Sequence, residues 1–308
     1  MTLSVIICTH NPRADYLQRV LDALKVQTLP KTQWEFLLID NASEARLSEK
    51  WDLSWHPRAR HVREDQLGLT TARIRGVKES NGELLVFVDD DNILSSDYLE
   101  QALNIARAFP QLGVWGGSIK GVFETEPPSS LQGRLGMLAV GEISRDAWGT
   151  IKGINDACPP GAGMVVRKQI AEKFYAQAEP LRLLLGRKGN VLTSGEDLDL
   201  AWFSCETGRG MGRFHRMQLQ HLISARRLTV EYFERLIFGA NYSNVFLYYF
   251  HDMPLPEPPK TVLGKLRQAK QRMSTSKEDR RFSVAAWDGV KKGLADLKNF
   301  RIGQAKAE

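Results

Sequence analysis

The amino-acid sequence predicts an α/β fold in which a mostly parallel central sheet is flanked by helices and followed by a C-terminal helical extension. Short apolar runs rich in β-branched residues alternate with helical patterns over the first 110 residues. Strands that alternate with helices are typical of right-handed βαβ units, and such units build a parallel sheet. A proline-rich segment at residues 254–260 then precedes a basic tail with helical periodicity.

The first strand and helix are predicted close to the N-terminus. Residues 3–8 form a short apolar run, which indicates a buried strand. Asn11 can cap the next helix with Pro12 at its first position, because proline loses no hydrogen bond there. The apolar positions of this helix are Leu17, Val20, Leu21 and Leu24.

Later elements follow from the same two periodicities. The other predicted strands cover residues 36–39, 84–88 and the end of 161–167. The other predicted helices cover residues 70–78 and 98–109, a stretch that opens at residue 195, and residues 229–250. The helix at residue 195 has an acidic first turn, which suits the positive end of the helix dipole.

The composition indicates an intracellular globular protein. The 308 residues, 43% of them hydrophobic, allow two domains or one large domain with an appendage. Three widely spaced cysteines exclude a disulfide framework and a cysteine-based zinc site. No apolar run approaches the ~20 residues of a membrane span, and the N-terminus has no signal-peptide pattern, so we expect a cytoplasmic location.

The net charge of +6 is a property of the tail. From Lys260 to Glu308 there are 13 basic and 5 acidic residues, which leaves the rest of the chain at −2. A nucleic-acid-binding protein carries its positive charge on the folded face. The charge distribution therefore argues against a nucleic-acid partner.

Several well-known catalytic signatures are absent from the sequence. It has no G-x-x-x-x-G-K-[ST] loop, no G-x-G-x-x-G after the first strand, no H-E-x-x-H and no G-x-S-x-G. These absences remove the main support for a P-loop nucleotide hydrolase, a dehydrogenase, a zinc protease and a serine hydrolase.

Polar side chains follow three of the predicted strands. They are Thr9, His10 and Asn11, then Asp40 and Asn41, then Asp89, Asp90 and Asp91. Ligands of open α/β sheets bind at the carboxyl ends of the strands. We therefore expect a binding site at this edge of the sheet.

The three adjacent aspartates are the most distinctive feature. Adjacent carboxylates repel one another unless a cation or a hydrogen-bond donor lies among them, and Asp89 and Asp91 can share one face of an extended segment. Carboxylate oxygens suit Mg²⁺ or Mn²⁺, especially an ion that also holds a diphosphate. The alternative is a solvated acidic turn, or a helix cap formed by Asn92, Ser95 or Ser96.

The sequence resembles the family 2 glycosyltransferases, which have the GT-A fold, use nucleotide sugars and invert the anomeric centre. The resemblance covers about residues 1–250. It is carried, in the order of the family, by residues 4–11, 38–43, 68–73, 87–92, 161–164 and 195–197, with His221 ahead of 227–229.

The resemblance implies a domain division. Residues 1–253 would form the catalytic domain, with a nucleotide-binding half (1–110) and an acceptor-binding half (111–253). Residues 254–260 would be a linker, and 261–308 a basic amphipathic helical tail.

The resemblance also assigns residues to the donor. Thr9, His10 and Asn11 would line the nucleoside pocket, Asp40 would accept a hydrogen bond from the base, and Arg73 would hold the base or the phosphates. Asp89 and Asp90 would approach the ribose. His10 stands where the family often has an aromatic residue, which leaves a stacking role open. Asp90 stands where it often has a small residue, which leaves the division of labour among the aspartates open. For Arg73 the alternative is a salt bridge on a helix surface.

The metal would be Mn²⁺ or Mg²⁺. The resemblance assigns its binding to Asp91, with Asp89 and His221 as further candidate ligands. Neutral imidazole is an acceptable ligand for Mn²⁺. A structural role for His221 is the alternative.

The second acidic site is the pair Glu196 and Asp197. In enzymes that this chain resembles, the aspartate at this position is the catalytic base, which removes the proton of the acceptor hydroxyl. The alternative is that both acids only stabilise the N-terminus of a helix.

The acceptor side and the tail are less informative. Residues 161–163 would let the backbone approach a sugar or would form a tight structural turn. Trp115, Trp148 and Trp202 would form a sugar platform or belong to the core. Two helical apolar stripes in the tail, at residues 262–273 and 287–297, would lie on an anionic membrane or pack on the protein.

Taken with the resemblance, these features predict an inverting glycosyltransferase in cell-envelope polysaccharide assembly. Its donor would be a nucleotide sugar, with a UDP-sugar expected, and its acceptor a glycan or a lipid-linked molecule on the inner face of the membrane. The alternative is a non-catalytic nucleotide-sugar-binding or scaffold protein with the same fold.

Overall fold

The computed structural model describes residues 2–177, 192–256 and 276–304. The strands in these residues are β1 (Leu3–Thr9), β2 (Trp34–Asn41), β3 (Ala59–Glu64), β4 (Leu84–Val88), β5 (Asn92–Leu94), β6 (Leu112–Phe123), β7 (Ala147–Gly149), β8 (Val165–Arg167) and β9 (Gly210–Ile223). The helices are α1 (Ala14–Lys25), α2 (Leu69–Glu79), α3 (Tyr98–Ala108), α4 (Ser129–Gln132), α5 (Lys168–Ala176), α6 (Glu196–Glu206), α7 (Val230–Phe250) and α8 (Lys277–Gln304).

Within the described residues the strands form one mixed sheet in the order β3-β2-β1-β4-β8-β6-β9-β5, with β7 against β9. The ladders among β3, β2, β1 and β4 are parallel, and so is the long β6–β9 ladder. The short strands β5, β7 and β8 pair in antiparallel fashion. The predicted α/β class with a mostly parallel sheet is confirmed.

The core lies on both faces of this sheet. Leu3, Val5 and Ile7 of β1 pack into a cluster with α1 and α3, whereas Ile6 packs into a second cluster with α2, α5 and α6. Alternate residues of a strand point to opposite faces, so an uninterrupted apolar run is what a strand covered on both sides requires. The carboxyl ends of β1 and β4 are thereby fixed side by side.

The predicted start of the first helix is wrong. Helix α1 begins at Ala14 with Arg13 as its N-cap residue, and Asn11 has a positive φ of 48°. The side-chain oxygen of Asn11 accepts a hydrogen bond from the backbone N–H of Glu44 (3.0 Å), and the backbone N–H of Asn11 donates to Ser43 Oγ (3.0 Å). Asn11 therefore joins the ends of β1 and β2 and does not cap the helix.

The last helix packs on α7. The apolar side chains of the second predicted stripe, Val290 and Leu297, are buried against Val245 and Phe246. Gly289 lies so close to the α7 backbone that an added Cβ would clash with the carbonyl oxygen of Phe238. The packing alternative therefore holds for this stripe.

The first stripe, at residues 262–273, and most of the 254–260 linker lie outside the described residues. Of the helices in the described parts of the chain, none combines the length and the apolar character of a bilayer span.

Candidate active site

A cleft of about 1040 Å³ opens at the carboxyl ends of β1 and β4. Its walls come from the residues after β1 and β4, the first turns of α2 and α6, residues 158–162, residues 221–227 and one face of α7. This is the edge at which the polar strand ends predicted a site. The cleft brings together most of the predicted residues.

Thr9 at the end of β1 and the two residues after it, His10 and Asn11, line the cleft. Thr9 Oγ1 donates a hydrogen bond to the carboxylate of Asp90, which ties the end of β1 to the acidic run after β4. His10 Nδ1 lies 2.8 Å from the backbone oxygen of Asn41, and the His10 side chain is exposed. His10 and Asn11 thus form an open rim that a nucleoside can approach.

Asp40 does not line the cleft. One carboxylate oxygen accepts from the N–H of Ser43 (3.1 Å), and the other accepts from the N–H of Leu47 (3.1 Å) and from Arg63 (2.9 Å). Burial alone raises the pKa of Asp40, but these donors hold it below its ordinary value. Both oxygens of Asp40 already bind the loop after β2, and its role as an acceptor for the base stays a prediction.

The acidic run after β4 lies in the cleft wall. The Asn92 amide donates to Asp91 Oδ1 (2.9 Å), so Asn92 organises the run and does not cap the next helix, whose N-cap residue is Asp97. The capping alternative is therefore wrong.

The surroundings of Asp90 favour its protonated form. Burial and the neighbouring Asp91 raise the pKa of Asp90 to about 7, although the hydrogen bond from Thr9 opposes the shift.

Asp91 and His221 meet at one point of this wall. Asn92 pairs with His221 across the β5–β9 ladder, and this register brings Asp91 Oδ2 to 3.2 Å from His221 Nε2. Both side chains are largely buried. Arg227 Nη1 lies 3.0 Å from the same Asp91 oxygen and 3.2 Å from the same His221 nitrogen.

The pair of Asp91 and His221 fits a divalent ion. Two ligands that bind one ion at about 2.1–2.2 Å at a right angle lie about 3 Å apart, close to the observed separation. No cluster of three or more His, Cys, Asp or Glu residues that could hold a metal occurs in the part of the chain that the structure describes. An ion here would complete its coordination with substrate and water, and Asp89 does not form a third member of such a cluster.

Arg73 is buried at the base of the cleft, with a side chain that is 9% exposed, so the alternative of a salt bridge on a helix surface is wrong. Its guanidinium lies 3.5 Å from Glu196 and 4.0 Å from Asp89. The Glu196 carboxylate also accepts from Tyr175 Oη (2.6 Å) and Thr70 Oγ1 (2.7 Å). Burial lowers the pKa of Arg73, but Glu196 and the other nearby acidic groups hold it above its ordinary value, so its charge is fixed.

Asp197 is the more exposed of the two acids of α6 that line the cleft. Its Oδ2 accepts from the backbone N–H of Gly161 (2.8 Å), and its Oδ1 accepts from the N–H of Leu198 (3.0 Å). The side chain is half-buried. A Cβ at Gly161 would lie 3.2 Å from the Asp197 Cβ and 3.3 Å from Oδ2, so any larger residue here would push Asp197 by a few tenths of an ångström. Asp197 is held in a defined orientation with access to the cleft.

The tryptophans and the glycine turn predicted for the acceptor side differ in where they lie. Trp115 and Trp202 are fully buried in the core, so the platform prediction is wrong for these two; Trp148 is half-exposed but lies outside the cleft wall. Gly163 has a positive φ of 69°, and its carbonyl accepts from Tyr98 Oη (2.8 Å). The turn that begins at Gly161 thus serves both structure and the site.

Sequence reasoning gave no role to two contributors to the site. Tyr175 binds Glu196 from α5, and Arg227 binds Asp91 across 136 positions of the chain. The basic pair at residues 226–227, shortly after His221, was the available signal for Arg227. No pattern in the sequence marks Tyr175.

Comparisons with known proteins identify the family of this chain. Residues 4–172, more than half of the chain, match the model of the family described as glycosyl transferase family 2. Glycosyltransferase AglE of Haloferax volcanii is 30% identical over 105 residues, which cover 33% of this chain and 34% of AglE. Poly(ribitol-phosphate) beta-N-acetylglucosaminyltransferase TarS of Staphylococcus aureus is 28% identical over 105 residues, which cover 33% of this chain and 18% of TarS.

Solved structures show the same fold at low sequence identity. The S. aureus TarS fragment 1–349 in complex with UDP superposes with a TM-score of 0.54 at 15% identity, over 98% of this chain and 92% of the fragment. GalNAc-T7 with UDP, GalNAc and Mn²⁺ gives a TM-score of 0.55 at 16% identity, over 88% of this chain and 54% of that one. The fold is the GT-A fold, and the chain belongs to glycosyl transferase family 2.

Proposed function

We propose that this family 2 glycosyltransferase moves a sugar from a UDP-sugar to a hydroxyl group of a glycan or lipid-linked acceptor, with inversion at the anomeric carbon. The related TarS fragment has been crystallised with UDP and with UDP-GlcNAc, which supports a uridine nucleotide as donor. Assembly of cell-envelope polysaccharide at the inner face of the membrane is the proposed setting.

The observation that carries the proposal is the placement of Asp197. Inversion by direct displacement needs a carboxylate that removes the proton of the attacking hydroxyl as the bond to the sugar forms. Asp197 is fixed by the Gly161 N–H and opens to the same cleft as the acidic run. Glu196 is a poor candidate for the base, because Thr70 and Tyr175 bind its carboxylate oxygens and Arg73 lies beside them.

The donor would lie along the ends of β1 and β4. His10 and Asn11 would border the base, and Asp89 and Asp90 would face the ribose. Asp91 and His221 would hold the divalent ion, which when bound neutralises charge on the departing diphosphate. Arg73 keeps a fixed positive charge at the base of this region, and Asp89 is its neighbour on the cleft side.

The acceptor would enter along α7. Leu236, Ala240, Asn241 and Asn244 line the cleft, and their spacing places them on one helical face. The two amides can form hydrogen bonds with sugar hydroxyls, and Ala240, which is partly exposed, gives the wall a small apolar surface, whereas Leu236 is buried.

Ligand-dependent thermal stability tests the proposal. Melting temperatures would be measured with UDP, CDP, GDP and dTDP, each with and without Mn²⁺, for the wild type and for Asp91→Asn. A ligand at 100 times its dissociation constant adds about 2.7 kcal/mol. We expect a Mn²⁺-dependent rise with UDP that Asp91→Asn loses; no rise with any nucleotide would overturn the donor assignment.

A further inference from the structure

Three polar atoms form a nearly equilateral triangle in the cleft wall. Arg227 Nη1 lies 3.0 Å from Asp91 Oδ2 and 3.2 Å from His221 Nε2, and the last two atoms are 3.2 Å apart. The guanidinium thus sits on the two atoms that fit a divalent ion. We propose that Arg227 is a resident counter-cation that competes with the ion for Asp91 and His221 and is displaced when the ion binds.

Burial explains why a cation is needed when no ion is bound. The side chains of Arg227, His221 and Asp91 are 13%, 5% and 18% exposed. An unpaired carboxylate in such surroundings is costly, and the Arg227 guanidinium compensates its charge. Arg227 Nη1 also lies 3.2 Å from His221 Nε2, the ring nitrogen that faces Asp91. A neutral imidazole with Nε2 as acceptor is the form that binds a metal.

The Arg227 side chain is incompletely satisfied where it lies. Within the described residues, Arg227 Nε and His221 Nδ1 are buried side-chain atoms without a hydrogen-bond partner. A buried donor that lacks an acceptor costs free energy, so this position stabilises the guanidinium less than a fully bonded one would. The geometry is that of a placeholder which a better-matched cation can displace.

The backbone around Arg227 is fixed, so only its side chain needs to move. Residues Ala225–Arg227 form a single 3₁₀ turn, in which the Arg227 N–H donates to Ser224 O (2.9 Å). The Ala225 N–H at its start donates to Glu124 Oε2 (2.8 Å). Arg227 lines the cleft, and a displaced guanidinium would enter the space proposed for the diphosphate. A diphosphate offers a guanidinium several acceptors, so the ion and the nucleotide would bind with positive coupling.

This inference rests on the proposed function, because it concerns the same metal site. The test measures Mn²⁺ binding in the absence of nucleotide, with the electron paramagnetic resonance signal of the free ion as the readout. The variants are Arg227→Gln, Arg227→Lys and the double variant Asp91→Asn with Arg227→Gln. Arg226→Gln is the matched control, because it removes the same charge from the adjacent residue of the same 3₁₀ turn in the cleft wall.

Removal of the competitor should tighten Mn²⁺ binding. We expect Arg227→Gln to bind Mn²⁺ on the order of tenfold more tightly than the wild type. The reason is that the ion no longer has to displace the charged guanidinium from Asp91 and His221. Arg227→Lys should fall between the two, Arg226→Gln should remain close to the wild type, and the double variant should lose the gain. With Mn²⁺ present, Arg227→Gln should bind UDP more weakly than the wild type.

Two results would overturn the inference, and only one of them would also overturn the proposed metal site. Equal or weaker Mn²⁺ binding by a folded Arg227→Gln or Arg227→Lys, with Asp91-dependent binding in the wild type, would overturn the competition and leave the proposed metal site standing. No Mn²⁺ binding by any variant, with or without UDP, would overturn both the inference and the metal-assisted part of the proposed function.

Discussion

The guanidinium of Arg73 lies 3.5 Å from the carboxylate of Glu196, and this buried pair joins α2 to α6 at the cleft. The side chains are 9% and 6% exposed, so solvent screens their attraction little. The ion pair fixes the first turn of α6, where Asp197 is the residue next to Glu196. A structural ion pair thus adjoins the proposed catalytic base.

Removal of the Glu196 charge should destabilise the protein. Glu196→Gln keeps the shape of the side chain but leaves Arg73 with less compensation in a buried site, and breaking such a pair costs about 3 kcal/mol. We expect a loss of this size in the free energy of unfolding measured with urea. Glu172→Gln is the control, because its pair with Lys168 is 3.7 Å long and Glu172 is half-exposed. Equal stability of Glu196→Gln and the wild type would contradict this role.

A methyl group at Gly161 should disturb the base without removing it. The added Cβ would lie 3.2 Å from the Asp197 Cβ, so Asp197 must shift. We expect Gly161→Ala to lower kcat by about tenfold or more, since small misplacements of a catalytic group cost this much. The control is Gly133→Ala, where an added Cβ meets no atom within 4 Å in the described residues. Similar kcat values for the two variants would refute the positioning of Asp197 by this contact.

Acid should weaken the fold through His56. This histidine is buried and its ring lies 4.1 Å from that of Trp34; burial, followed by the nearby Lys31 and Arg58, lowers its pKa from 6.5 to about 4. The unfolded chain therefore takes up the proton first, and stability falls as the pH decreases from 6.5 to about 4, by up to about 3 kcal/mol. Urea unfolding at pH 7 and pH 4.5 measures the loss, which should be smaller in His56→Gln. An unchanged pH dependence in that variant would exclude His56 as the source.

The C-terminal helix should be required for stability. Phe282 of α8 is 3% exposed in a cluster with Leu131, Leu138 and Phe233, and Arg134 pairs with Asp279 at 2.6 Å. Phe282→Ala should lower the free energy of unfolding by about 3 kcal/mol, the cost of emptying a buried aromatic site.

The matched control for Phe282→Ala lies two residues along the same helix. Val284 is 46% exposed, so Val284→Ala should change the stability little. If both variants have the melting temperature of the wild type, α8 does not stabilise the domain in solution.

The parts of the site that follow from local sequence were predictable. An apolar run that ends in polar residues places Thr9 and Asp91 at the same sheet edge, because the carboxyl ends of parallel strands coincide. The helix that opens at Gly195 likewise predicted a first turn that presents Asp197. These assignments need only periodicity and the rules of sheet topology.

The remaining parts depend on contacts between distant positions. Asp40 ends a strand like the other polar residues, but the loop that follows it bends back and supplies donors from Ser43 and Leu47. The edge strand β3 has no alternating apolar pattern and was not predicted. The pairing of Arg227 with Asp91 follows from the register of β5 on β9, which no local pattern encodes.

Asp197→Asn tests the central claim most directly. UDP release from a panel of UDP-sugars with envelope-derived glycan acceptors and Mn²⁺ would be measured for the wild type and the variant, together with the affinity of each for UDP. The asparagine oxygen can still accept from the Gly161 N–H, so UDP affinity should be unchanged, whereas kcat should fall by about 10²–10⁴-fold because no base remains. Transfer by Asp197→Asn at the wild-type rate, with unchanged UDP affinity, would contradict Asp197 as the catalytic base.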